Sequence, residues 1–362
     1  MTDFDQFLGT RPPTGKHALD TAALTAWLES QLPGFKGPIQ VEMFKGGQSN
    51  PTYKLVTPTG RYVMRSKPGP VAELLPSAHA IEREFTLMRG LAGTAVPVPR
   101  MLCLCEDETV IGRAFYIMEY MDGRVLWDQA LPGMTPAQRA AIYDETNRVI
   151  AALHTVNVAQ QGLSGYGKPG NYFERQIGRW SRQYLASVTD AIPEMDHLME
   201  WLPHNIPAMA RDDRMVSIVH GDYRLDNLMF DAREPKVIAV LDWELSTLGH
   251  PLADFSYHCM AWNIPHGVFR GIGGLDFAAL GIPSEEAYIR SYCERTGLVT
   301  PEQLQQDWNF YMAYNLFRIA AILQGIAKRA QTGTASSEQA ERAGAEARPL
   351  AELAWRFAQK AR

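Results

Sequence analysis

The chain has 362 residues, enough for one or two domains around a sizeable core. Apolar residues make up 46% and charged residues 21%, a balance that excludes a disordered chain. A net charge of −5 disfavours nucleic-acid binding through a basic field, and no apolar run reaches the roughly 20 residues that span a bilayer.

Four cysteines, Cys103, Cys105, Cys259 and Cys293, include no Cys-x-x-Cys pair, so neither a zinc ribbon nor a redox motif is expected. The start, Met1 to Gly15, is acidic and then Pro-rich, without the basic end and apolar stretch of a signal peptide. A cytoplasmic protein with reduced, buried thiols is the expectation.

In chain order, Asp20 or Thr21 caps a first helix with Leu24, Trp27 and Leu28 on one face, stopped at Pro33-Gly34. Strands follow at Ile39 to Lys45, Thr52 to Val56 and Arg61 to Ser66, the last two joined by the turn Pro58-Thr59-Gly60. Ile81, Phe85, Met88 and Leu91 recur at helical spacing, which predicts a helix over Ala78 to Leu91. Two more strands are predicted at Met101 to Cys105 and Ala114 to Tyr120. Beyond Met121-Asp122-Gly123 the pattern turns helical. Thr135-Pro136 is a helix start, Thr as cap and Pro at the first position, for a helix to about Val156. Further helices are predicted over Asn171 to Ala186, Glu194 to Asn205, Leu252 to Trp262, Ser284 to Thr296, Pro301 to Arg329 and Arg342 to Ala361, with a loop over Thr332 to Glu341. Short strands are predicted at Ser217 to Val219, Leu228 to Asp231 and Lys236 to Leu241.

Those short strands frame the most informative run, Val219-His220-Gly221-Asp222-Tyr223-Arg224-Leu225-Asp226-Asn227, followed by Val240-Leu241-Asp242-Trp243-Glu244. A carboxylate, a carboxamide five residues on, and a second carboxylate ending an apolar strand are the groups that phosphoryl transfer from a nucleotide needs. One carboxylate accepts the proton of an attacking hydroxyl, and the other two groups hold Mg²⁺. Asp222 is the candidate base, and Asn227 and Asp242 are the candidate metal ligands.

On these residues the chain resembles the aminoglycoside phosphotransferase (APH-like) family of the kinase superfamily. Protein kinases carry His-Arg-Asp, four residues, Asn, and then Asp-Phe-Gly. Here Gly221 replaces Arg, and Asp242-Trp243-Glu244 replaces Asp-Phe-Gly, which marks the small-molecule branch. The stretch Val237 to Phe255 is similar to a subgroup that includes the kinase-like part fused to some acyl-CoA dehydrogenases. The resemblance implies an α+β, bilobal, protein-kinase-like fold. A small antiparallel sheet with one helix and the first helix (residues 1–120) would bind nucleotide. A larger, mainly helical lobe (residues 121–362) would carry the catalytic loop and the acceptor site.

It also implies roles at matching positions. Arg65, with Lys67 in reserve, stands where kinases place a phosphate-pairing Lys, and Glu84 is its helix partner. Gly46, Gly47, Ser49 and Asn50 occupy the phosphate-covering hairpin. Glu119 and Met121 match the hinge whose backbone reads adenine. Asp254 matches a residue that supports the catalytic loop. Trp180, Arg182, Tyr184, Trp308, Tyr311, Tyr314 and Arg318 are candidate acceptor-cleft residues, or core. The expected activity is transfer of the γ-phosphoryl group of ATP, with Mg²⁺, to a hydroxyl of a small molecule such as a hydroxyacyl-CoA. Aminoglycoside, amino-alcohol and sugar kinases are alternatives on the same fold, and a catalytically silent nucleotide-binding module is another. A metal-dependent hydrolase built from His220, Asp222, Asp242, His250, Asp254 and His258 is the rival from a different class.

Overall fold

The computed structural model describes residues 9–45, 50–68, 80–331 and 344–361. A short strand, β1 (Thr10–Arg11), precedes α1 (Thr21–Gln31). Asp20 starts that helix: its Oδ1 accepts from the N–H groups of Ala22 and Ala23 at 3.0 and 2.9 Å, donors that a first helical turn leaves unpaired. Next come β2 (Gln40–Phe44), β3 (Thr52–Thr57), β4 (Gly60–Ser66), α2 (Ile81–Leu91), β5 (Met101–Cys105), β6 (Phe115–Glu119) and β7 (Gly123–Val125). The first six strands form one antiparallel sheet in the order β1-β2-β3-β4-β6-β5. Alternation puts Tyr53 and Leu55 of β3, and Phe115 and Ile117 of β6, into one core with Leu24 and Leu28 of α1.

The chain continues through α3 (Pro136–His154), α4 (Tyr172–Ser187), α5 (Pro193–His204), β8 (Ser217–Val219), β9 (Leu228–Asp231), β10 (Val237–Val240) and β11 (Thr247–Gly249). Then follow α6 (Pro251–Asn263), α7 (Phe277–Leu280), α8 (Glu285–Thr296), α9 (Pro301–Gln306), α10 (Trp308–Gln331) and α11 (Ala347–Lys360). Thr135 and Gln138 form a reciprocal capping box at the start of α3, with Pro136 at its first position. A small sheet in the order β10-β9-β7 and a pair of β11 with β8 complete the strands.

By contacts the chain divides into two compact units. The first comprises Met1–Trp127, Ala159–Tyr166 and Asn227–Ser246; the second comprises Asp128–Val158, Gly167–Asp226 and Thr247–Arg362. In the second unit, α10 and α6 are bound by Asn315, whose Nδ2 donates to Ala253 O (3.1 Å) and Ser256 Oγ (2.8 Å).

The single helix expected over Pro301 to Arg329 is two. Thr300 caps α9 with a capping box, but Asp307 leaves helical geometry (φ −104°, ψ 4°), and its carbonyl accepts from the N–H groups of Phe310 and Tyr311 to begin α10. The three-residue strands β7 and β11 were not foreseen, and the loop over Thr332 to Glu341 lies outside the described residues. Among the described residues no helix is long and apolar enough to cross a membrane.

Candidate active site

In the first unit, Arg65 sits on β4 opposite Thr52 and Tyr116, and is only 8% exposed. Its Nε lies 3.1 Å from Glu84 Oε2 on α2, its Nη2 2.7 Å from Asp242 Oδ1 and 3.8 Å from Glu244 Oε2. Burial alone would lower the guanidinium pKa, but Glu84, Asp242 and Glu244 together raise it above its ordinary value. Glu84 is also buried, which pushes its carboxyl upward against the pull of Arg65. Its oxygens accept from Asn50 Nδ2 at 3.0 Å and Tyr116 OH at 3.2 Å. Lys67 is drawn elsewhere, into an ion pair with Glu82.

Asp242 follows β10 in a left-handed backbone conformation (φ 63°, ψ 60°), uncommon for a residue with a Cβ. The turn is fixed from both sides. Leu241 N–H donates to Asn227 O at 2.8 Å, and Trp243 Nε1 donates to Val240 O at 3.0 Å. The backbones of the two candidate metal ligands are thereby held side by side. An amide and carboxylates are oxygen donors of the hard kind Mg²⁺ takes, so the residues present fit that ion.

Of the remaining nucleotide-side candidates, Asn50 is fully buried on Glu84, while Gly46, Gly47 and Ser49 lie outside the described residues. Glu119 ends β6, where its N–H donates to Arg100 O and its Oε1 accepts from Arg100 N–H. Met121 follows, half-buried and outside the strand.

In the second unit, β8 leads into His220-Gly221-Asp222. Gly221 has φ 83°, a conformation that a side chain would strain. The loop backbone hangs on Asp254 of α6. Asp254 Oδ2 accepts from His220 N–H at 2.7 Å, and Oδ1 from Gly221 N–H at 2.8 Å. His154 Nε2 lies 3.2 Å from the same carboxylate, and its Nδ1 is 2.7 Å from Tyr292 OH. Burial pushes Asp254 up, but His154, His220 and the backbone donor outweigh it and leave the carboxyl below its ordinary range. Tyr223 OH donates to Thr146 O at 2.8 Å, a second anchor.

Asp222 Oδ1 accepts from Tyr257 OH at 2.5 Å, and Oδ2 from Arg224 Nη2 at 3.0 Å. Arg318 of α10 donates to Gly221 O, and its guanidinium lies over the rings of Tyr257 (4.9 Å) and Trp180 (5.4 Å). Asp226 is paired with Arg270 and lies 3.5 Å from Arg224 Nε. Burial and Arg224 pull the Arg270 guanidinium down to about 9. Asp222 and Glu346 act against that fall.

Of the candidate cleft residues, Trp180, Tyr184, Trp308, Tyr311, Tyr314 and Arg318 are all buried and Arg182 is exposed; Arg318 donates to Gly221 O and lies over the Trp180 ring. The alternative metal set does not assemble. His250 caps α6 and contacts Met209 O, and His258 is bound to Tyr288 OH at 2.8 Å. Desolvation lowers both to about 4. Among the described residues no group of three His, Cys, Asp or Glu is placed to hold a metal.

Tyr257 and Arg270 were not singled out in the sequence. Tyr257 lies three residues past Asp254 on α6, one turn along the same face, and that spacing was the available signal. Arg270 has no comparable local signal.

Residues 40–297 match the model of the phosphotransferase enzyme family. The chain belongs to that family. It is 46% identical over 97% of its length to mouse acyl-CoA dehydrogenase family member 10, and 39% identical over 93% to human acyl-CoA dehydrogenase family member 11. It spans only 32% and 43% of those relatives. A solved structure from Ralstonia eutropha JMP134, provisionally described as an aminoglycoside phosphotransferase, shares 61% identity and a TM-score of 0.86 over 95% of this chain and all of that one. Choline kinase from Cryptosporidium parvum Iowa II, 13% identical with a TM-score of 0.63 over 92% of this chain and 95% of its own, shares the fold.

Proposed function

We propose that this phosphotransferase moves the γ-phosphoryl group of ATP to a hydroxyl of a small molecule, with Asp222 accepting the hydroxyl proton. The observation that carries the reading is the buried Arg65 bound to Glu84 and Asp242 at once. A cation fixed at that depth by carboxylates from a helix and a strand end is a prepared counter-charge for nucleotide phosphates. Asn227 and Asp242 would hold Mg²⁺, which neutralises phosphate charge when bound. Gly46, Gly47, Ser49 and Asn50 would approach the phosphates, and the backbone at Glu119 and Met121 the adenine. Arg65 contacts phosphate, Glu84 orients it, and Asp254 holds the loop that presents Asp222.

For the acceptor, we favour a hydroxyacyl thioester such as a hydroxyacyl-CoA. The relatives' names supply an acyl-CoA context. The second unit gathers Arg224, Arg270 and Arg318 about Asp222 and Asp226, an environment that disfavours a polycation such as an aminoglycoside. An ATP-consumption screen over hydroxyacyl-CoAs, aminoglycosides, amino alcohols and sugars tests this. Turnover of the first class alone is the expected result, and turnover of an aminoglycoside alone would overturn the acceptor assignment.

A further inference from the structure

The second unit holds a crevice of about 20 Å³, room for one water-sized group, lined by Gln129, Tyr257, Met260, Ile264, Phe269 and Arg270. Gln129 is only 4% exposed, and its Nε2 has no hydrogen-bond partner among the described residues. A buried donor without a partner is costly and uncommon, so it calls for a group to meet it. The loop that carries it is pinned from α3. Tyr143 OH donates to Gln129 O at 2.6 Å, and Arg139 Nε to Ala130 O at 3.0 Å. A second stretch of the wall is fixed as firmly. Phe269 and Arg270 both have positive φ (29° and 60°), which residues with a Cβ keep only where their surroundings impose it. Phe269 N–H donates to Glu346 Oε1 at 3.1 Å, and Ile272 N–H to Ala261 O at 2.7 Å.

The walls decide what fits. Gln129 and Arg270 offer N–H donors, which excludes a cation. Arg270 is already paired with Asp226 and lies near Glu346, so no surplus positive charge calls for an anion. Met260, Ile264 and Phe269 leave the rest apolar. A neutral acceptor oxygen on an apolar stem meets all three conditions. Through Tyr257, whose hydroxyl binds Asp222 Oδ1 at 2.5 Å, the crevice adjoins the candidate base. We infer that it is a subsite for the carbonyl oxygen of a hydroxyacyl acceptor, with Gln129 Nε2 as the specificity-determining donor. This deepens the phosphotransferase reading above and rests on it: a carbonyl seated at Gln129 brings the acyl hydroxyl to Asp222. An acceptor that lacks the carbonyl leaves the donor unpaired, and the site rejects it on that ground.

The test is calorimetric binding of 3-hydroxybutyryl-CoA and 4-hydroxybutyryl-CoA to the full chain without nucleotide. Each is compared with the thioether in which a methylene replaces the carbonyl. Gln129→Met and Gln129→Glu are measured alongside, with thermal midpoints and ATP binding. The unmodified chain should hold at least one thioester about tenfold more tightly than its thioether, the size of one buried hydrogen bond. Gln129→Met should bind the two alike. Gln129→Glu, which replaces the donor with an acceptor, should bind the thioester more weakly still. The midpoint of Gln129→Met should not fall, because the donor removed had no partner. No carbonyl preference in the unmodified chain, a preference that survives Gln129→Met, or a midpoint lowered by that substitution overturns the inference. ATP binding judges the kinase reading separately. A chain that binds ATP but shows no carbonyl preference keeps that reading and loses the subsite, whereas a chain that binds no ATP loses the reading itself.

Discussion

Replacing Arg65 with Met should destabilise the protein through one carboxylate. Arg65 is the counter-charge for Glu84, which is 2% exposed. Removing one member of a buried pair leaves the other charged in a poor solvent, at about 3–5 kcal/mol. Asn50 and Tyr116 still donate to Glu84, so the lower end, about 3 kcal/mol, is expected. At ~2–4 °C per kcal/mol the melting midpoint should drop by about 6–12 °C. The loss must depend on pH. Glu84 has a folded pKa above 4.5, so its burial costs nothing below the unfolded value, costs progressively more as pH rises from the unfolded towards the folded value, and levels above it. Without Arg65 the folded value climbs further, and the deficit should shrink as pH is lowered from 8 towards 5. Adding Glu84→Gln should restore most of the stability at pH 8, because the uncompensated charge is gone. Thermal melts of the unmodified chain, both single variants and the double variant at three pH values measure this cycle. A deficit equal at all pH values, or no rescue by Gln, would refute buried-charge desolvation as the cause.

Asp222→Ala should abolish phosphoryl transfer and leave ATP binding largely intact; normal turnover in a single-turnover assay would remove Asp222 from its role. Arg65→Ala should raise the nucleotide KM more than Lys67→Ala does, because Lys67 is committed to Glu82, and the reverse order would move the phosphate contact to Lys67. Glu285 supplies a stability test away from the chemistry. Desolvation raises its carboxyl to about 7 from 4.5, against hydrogen bonds from Asn263 and Trp308. The folded state binds the extra proton, so stability falls as pH rises from about 4.5 to 7, by up to ~3 kcal/mol at 1.36 kcal/mol per pH unit. His250 and His258 act in the opposite sense, losing stability as pH falls from 6.5 through about 4. The readout is therefore the difference between Glu285→Gln and the unmodified chain, which should grow from pH 5 to 8 and then level; a flat difference would contradict it.

The run from His220 to Asn227 stood out because its candidate groups are spaced within one loop, and Arg65 because strand alternation places it. Glu84 was readable from its helix. Partners brought by distant segments were not: Arg270 reaches Asp226 across 44 residues, and Arg318 reaches Gly221 across 97. The sequence predicted a helix over α10 but not that residues 310–321 would be buried on every side, since burial depends on what packs opposite. The break at Asp307 escaped because Pro301 and the apolar run at Trp308 to Phe317 fit one continuous pattern as well as two. β7 (Gly-Arg-Val) and β11 (Thr-Leu-Gly) lack the adjacent apolar pair that made the equally short β8 (Ser-Ile-Val) legible. The residue numbering suggests one boundary near 120, whereas compactness assigns 159–166 and 227–246 to the first unit, returns that no local composition marks.

Asp254 holds the backbone shape of the His220-Gly221 loop, while the proton is proposed to go to a different residue, Asp222. Form and reactivity are therefore separable in this architecture. A descendant that lost Asp222 would still fold the same curve of backbone and present the same surface, a ready route from catalyst to sensor. A descendant that lost Asp254 would keep every reacting group and have nothing to aim them.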